Sequence, residues 1–231
     1  METTWTVAEA AAPRGREGLL VAGLTVFNAA VALAVFGIAG WDAAGTEIAL
    51  RTTARVSMVY FLLAFLATPL HRLRPGPATR GLLRYRRALG VVFGLSMSIH
   101  VLCILRLFRL FAPVRPPMVT SADFFIGIPG LVLVALMTIT SLHALRRRLG
   151  PRRWGLLHRA GLWVVWAIFF LCLVDSVGRK ASRHPVLEYY PFIGALAAAL
   201  LVRIASGRRG GGERPHDFDD GRGADAVGLP P

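Results

Sequence analysis

Residues 88–110 read ALGVVFGLSMSIHVLCILRLFRL, and the run meets no charged residue until Arg106. At ~1.5 Å per residue, a helix of this length crosses a hydrocarbon core of roughly 30 Å. The stretch therefore predicts a transmembrane helix. It also carries one histidine, His100, near its middle, where an ionisable side chain is expensive and marks a functional site.

Apolar runs of the same kind occur at 18–41, 54–70, 123–142, 155–176 and 187–205. The expected fold is an all-α membrane protein, a bundle of about six transmembrane helices. The run at 54–70 is the shortest. Pro129 and Pro191 fall near the starts of their runs, where a missing N–H costs least. The chain divides into a short polar segment at 1–16, the transmembrane domain at 17–205 and a polar tail at 206–231. That tail has too little apolar surface to fold, so disorder is expected there.

Composition supports this reading. The 231 residues are 55% hydrophobic yet carry a net charge of +14, with a mean hydropathy of +0.54. The arginines cluster between apolar runs and form no basic stripe, so nucleic acid is not an expected partner and an anionic bilayer surface is. Glu9 and Glu17 flank the beginning of the chain, and no small-residue cleavage site follows the first apolar run, so no signal peptide is expected. Cys103 and Cys172 both lie inside apolar runs, with neither a CxxC motif nor zinc-ligand spacing.

Orientation follows from the connections. Arg72, Arg74, Arg80, Arg84, Arg86 and Arg87 crowd 71–87, and Arg146, Arg147, Arg148, Arg152, Arg153 and Arg159 crowd 143–159. The alternate connections hold only Arg51 and Arg55, then Arg115, then Arg179, Lys180 and Arg183. Positive charge stays inside, so both arginine-rich connections and both termini are expected in the cytoplasm of a bacterial inner membrane.

The other histidines have plain positions. His216 is in the tail, His184 in an outer connection, and His71 and His143 at helix ends where a polar tip reaches the interface. His158 lies one turn into the fifth helix. The two cysteines read either as thiolate ligands or as small buried hydrophobes. Arg106 and Arg109 read as partners for an anionic or polar ligand head, or as side chains snorkelling to the outer headgroups. The run R-R-R-L-G-P-R-R at 146–153 suits either a docking partner protein or lipid phosphates.

Two segments carry a resemblance. One is T-P-L-H-R-L at 68–73, followed by L-R-Y-R-R-A-L-G at 83–90, nine further residues and His100; the other is T-I-T-S-L-H-A-L-R-R-R-L-G-P-R-R-W-G-L-L-H-R at 138–159. Together they resemble the ferric reductase-like transmembrane family. Within it they are most similar to the bacterial branch that serves as haem-binding membrane subunit of a periplasmic methionine-sulfoxide reductase. The resemblance implies electron transfer through b-type haem, from cytoplasmic flavin or membrane quinol to an extracytoplasmic acceptor on a partner oxidoreductase. It implies His100 as the third-helix ligand to the haem iron and His158 as the first histidine of the fifth helix. The family's second fifth-helix histidine falls on Leu171 here.

Depth separates the two histidines that remain. His100 stands thirteen residues past Arg87, roughly 20 Å up the helix. His158 stands four past Trp154, roughly 6 Å up. They are not expected to share one haem. A haem-free member of the family acting as a membrane scaffold is the alternative function. A small transporter is a weaker third, because acidic residues are missing from the middle of the first five helices, Asp175 lying near an outer end.

Overall fold

The computed structural model describes residues 14–111, 121–141, 143–180 and 186–210. Six helices follow in order: α1 (Arg14–Ala39), α2 (Ala43–Leu73), α3 (Pro77–Arg106), α4 (Ser121–Thr140), α5 (His143–Lys180) and α6 (Tyr190–Gly210). A π-helical turn, Leu107–Phe111, extends α3, and a 3-10 turn, Val186–Glu188, precedes α6. Five of the six are long and apolar enough to cross a membrane, and α4 contributes a shorter apolar stretch, Ile126–Thr140. Lipid-facing surfaces are apolar, as at Ile38 (89% exposed) and Leu19 (74%). The fold is the expected all-α membrane bundle. Segments 1–13 and 211–231, with His184 and His216, lie outside the described residues, as does the side chain of His143.

The helices exceed the apolar runs, and the reasons are local. Helix α2 begins eleven residues before the expected 54, because its polar first turns satisfy themselves. Asp42 caps it by accepting from the Gly45 N–H at 2.8 Å, and Glu47 pairs with Arg51 one turn on. Thr46, Thr52 and Thr53 donate to the carbonyls four residues back at 2.8–2.9 Å. The connection expected at 71–87 shrinks to a turn at 74–76, and Arg80 to Arg87 ride on the first turns of α3. The connection expected at 143–159 is also helical. It bends at Gly150, where φ 75 and ψ 160 suit glycine alone, and restarts with Pro151, whose missing N–H costs nothing at a helix start. Arginine and leucine are good helix formers, so these segments stay helical beyond the apolar run.

Helices α2 and α3 form the largest interface, with α1 against both, α6 on α2, and α4 paired with α5. The core is aromatic and aliphatic: Met58, Phe61, Phe65, Val92, Phe93, Val134, Val165 and Leu196 are buried. Helix α4 approaches α3 so closely at Gly94 that any side chain there would strike Thr138. A buried polar chain joins three helices. The Asn28 amide donates to Ser96 Oγ at 2.6 Å, Ser96 Oγ meets Ser57 Oγ at 2.6 Å, and Ser57 donates to the Thr53 carbonyl at 2.7 Å. Such side-chain bonds fix helix register where lipid provides no hydrophobic drive for association.

Candidate functional site: a histidine facing a membrane cavity

His100 is held from one side. Its Nδ1 lies 3.1 Å from the Leu50 carbonyl oxygen and 3.2 Å from Thr53 Oγ1, both on α2. A carbonyl only accepts, so Nδ1 carries the proton and donates, and in the neutral ring Nε2 is then the unprotonated nitrogen. The ring lines a cavity of about 420 Å³ bounded by α2, α3, α4 and α5. Its walls are mainly apolar and include Phe93, Met97, Ile104, Leu131, Ile168 and Phe169. Cofactor sites are commonly ~300–1,000 Å³ with apolar walls and few polar groups. An imidazole with one nitrogen tied to a carbonyl and the other available to a cavity is the usual arrangement of a metal-ligating histidine.

Arg51, Arg55 and Tyr189 also line this cavity. Arg55 pairs with Glu188 at 2.9 Å and faces the rings of Tyr189 and Phe192 at 5.6 and 5.5 Å. The hydrogen bond from Arg55 holds the Glu188 carboxyl below the usual carboxylate range, helped by the charges of Arg55 and Arg51. Neither arginine stood out in the sequence, because Arg51 lies before the apolar run and Arg55 at its very start, and both read as connection residues. The arginines singled out there sit elsewhere. Arg106 donates to the Trp41 carbonyl at 2.8 Å beneath Phe36, Trp41 and Phe111, and Arg109 is exposed. Neither lines the His100 cavity.

The fifth-helix position inferred from the family pattern also faces elsewhere. Leu171 is 51% exposed and outside the cavity wall, whereas Cys172 is in that wall. Helical phase explains this. From His158, fourteen residues is nearly four full turns, which returns to the same face, while thirteen falls about 100° short of residue 172. The second cysteine, Cys103, is buried with Phe36 and Ala49 in a separate small cluster.

His158 belongs to a different space. It lines a cavity of about 830 Å³ at the arginine-rich end, together with Arg72, Arg84, Arg86, Arg87, Arg159 and Arg203. Its Nε2 lies 3.3 Å from Thr140 Oγ1, and its ring packs at a tilt against Trp154, with centroids 4.4 Å apart. Among the described residues the two cavities share only Phe93, Val134 and Val165 in their walls. His100 is seven residues beyond Phe93 on α3, and His158 seven before Val165 on α5, so they stand roughly 20 Å apart along the bundle. The separation expected from the sequence holds. His71 bonds Thr79 Oγ1 at 3.0 Å across the α2–α3 turn, a local structural contact. Among the described residues no three His, Cys, Asp or Glu side chains gather as a metal cluster.

A six-helix membrane bundle with a histidine presented to an apolar cavity fits one class in particular. Residues 53–172 match the family described as ferric reductase like transmembrane component, and the chain belongs to that family. Its curated relatives are more specific. The chain is 28% identical over 165 residues to the haem-binding subunit MsrQ of protein-methionine-sulfoxide reductase from Ralstonia nicotianae, covering 68% of this chain and 70% of the relative. Against the protein of the same name from Rhodospirillum rubrum, identity is 30% over 155 residues, with 65% and 71% covered. No solved structure is significantly similar.

Proposed function

We propose that this chain is a haem-binding membrane subunit that passes electrons across a bacterial inner membrane to an extracytoplasmic partner oxidoreductase. The observation that carries the reading is His100, with Nδ1 tied to the Leu50 carbonyl and Nε2 left for the apolar cavity. His100 would hold the iron, and Arg51 and Arg55 would balance the haem carboxylates. Bound there, haem supplies reversible one-electron exchange at its iron. The chain carries no C-x-x-C-H attachment motif, so the haem would be non-covalent, as in b-type proteins. The names of the relatives support this reading. Cytoplasmic flavin or membrane quinol would be the electron source. The excess of positive charge at the arginine-rich end supports a cytoplasmic side for it, with both termini on that side.

The test is the reduced-minus-oxidised optical spectrum of the purified protein. Sharp visible bands are expected, lost in His100→Ala and unchanged in His216→Ala. Full haem retention in His100→Ala removes the assignment. Cysteines introduced at Arg80 and Arg152 should resist an impermeant reagent added from outside, and their labelling would reverse the orientation. One observation favours a second reading, a haem-free scaffold: among the described residues, α5 presents no histidine to the His100 cavity. A colourless protein that takes up no added haem would establish that reading.

A further inference from the structure

The larger cavity holds an unbalanced charge that the haem reading does not use. Arg86, on α3, donates Nε to the Ala64 carbonyl at 3.2 Å and Nη1 to Thr68 Oγ1 at 3.2 Å. Arg203, on α6, donates to the Phe65 carbonyl at 3.3 Å and lies over the rings of Phe65 at 4.3 Å and Trp163 at 4.9 Å. Every one of these partners is neutral. Both side chains are half-buried, and Arg203 feels the charges of Arg86, Arg72 and Arg159. Among the described residues no Asp or Glu lines the cavity. Half-buried like charges fixed by neutral groups lower their energy when an anion joins them, and a guanidinium keeps spare donors in a fork that matches phosphate oxygens.

We propose that this cavity is a binding site for a phosphate group, supplied by the headgroup of an anionic phospholipid. Two features favour a lipid as the source. The floor beneath the arginines is apolar, formed by Phe61, Phe93, Leu162 and Val165. Helix α6 packs mainly on α2 and only lightly on α5, and the α5–α6 seam bears Arg159, Trp163 and Arg203. Depth agrees as well: Arg203 stands seven residues before the end of α6, roughly 10 Å, close to headgroup level. Basic pockets between transmembrane helices bind anionic headgroups in this way.

The proposal stands apart from the haem reading, since it uses neither His100 nor its cavity. The full chain is compared in phosphatidylcholine nanodiscs with and without phosphatidylglycerol, and lipids retained after detergent extraction are counted by native mass spectrometry. Phosphatidylglycerol should be retained in preference to phosphatidylcholine and should raise Tm. Arg86→Gln/Arg203→Gln should lower that preference by about thirtyfold, the effect of two arginines beside an anionic surface. Arg86→Lys/Arg203→Lys, which keeps the charge and loses the fork, should recover part of it, and that recovery ties the glutamine variant's loss to charge and not to misfolding. Equal retention of the two lipids by wild type overturns the proposal. Stabilisation by millimolar inorganic phosphate equal to that by lipid overturns the lipid source and assigns a soluble phosphate. Haem loss in the glutamine variant, in step with lipid loss, overturns it too, because the guanidiniums would then be holding haem carboxylates.

Discussion

Thr53→Val tests whether α2 tunes the histidine on α3. Valine keeps the shape of threonine and removes only the hydroxyl that stands 3.2 Å from His100 Nδ1. The Ala49 and Leu50 carbonyls, to which that hydroxyl donates, lie within α2 and keep their helical N–H partners. His100 keeps the Leu50 carbonyl at 3.1 Å, so its proton stays on Nδ1. What disappears is one shared interhelical hydrogen bond. Such bonds in membranes contribute ~0.6 kcal/mol on average and ~1.7 at most, or about threefold and at most about twentyfold in affinity. Loss of a ligand's sole outer partner typically costs 10–100-fold, and the surviving carbonyl places this change at or below the bottom of that range. Haem titration of the apoprotein in detergent, followed at the Soret band, should therefore show about threefold weaker binding, with the Tm of the apo form nearly unchanged. Affinity equal to wild type would refute the claim that Thr53 orients the ring. Loss as complete as in His100→Ala would refute the claim that the Leu50 carbonyl suffices.

The remaining predictions address phase, backbone and charge. Cys172→His should convert bound haem to a six-coordinate low-spin spectrum, whereas Leu171→His should leave it unchanged; the opposite pattern would mean that α5 is rotated from the position described. Gly150→Ala should destabilise the bend between the two halves of α5 by ~1–3 kcal/mol, measured by thermal unfolding in detergent, because only glycine tolerates φ 75 with ψ 160. Glu188→Gln should cost ~0.5 kcal/mol or less at neutral pH, since the pair with Arg55 is substantially exposed. Its wild-type contribution is present above the ordinary carboxylate pKa of 4.5 and is lost as pH falls through the depressed folded value. The wild type should therefore lose stability relative to Glu188→Gln only in acid below about 4.5, and a difference that grows toward alkaline pH would contradict the sign.

Much of this was legible in the sequence, because a bilayer imposes simple rules. Run length placed every spanning helix, and His100 stood out as the lone deep histidine. The misses share a cause: hydropathy marks where lipid is, not where a helix begins or ends. The Glu47–Arg51 pair and the back-bonded threonines carry α2 beyond its apolar run, so Arg51 and Arg55 read as connection residues when they line the His100 cavity. The arginine-rich connections likewise read as loops because charge was taken for irregularity. The fifth-helix position implied by the resemblance lies outside the cavity wall for another reason. Spacing along a sequence fixes height on a helix to within one residue, but that one residue is a rotation of about 100°, enough to turn Leu171 outward and Cys172 inward.

The grip on His100 also decides what can be cut away. The family match begins at residue 53, yet the carbonyl that sets the histidine's proton belongs to Leu50. A fragment trimmed to the matched segment would keep the imidazole and lose the group that fixes its tautomer. It would lose Asn28 as well, leaving the Ser57 and Ser96 hydroxyls without the helix that covers them. The first helix and the start of the second are thus not dispensable: one covers the buried hydroxyls and the other holds the imidazole.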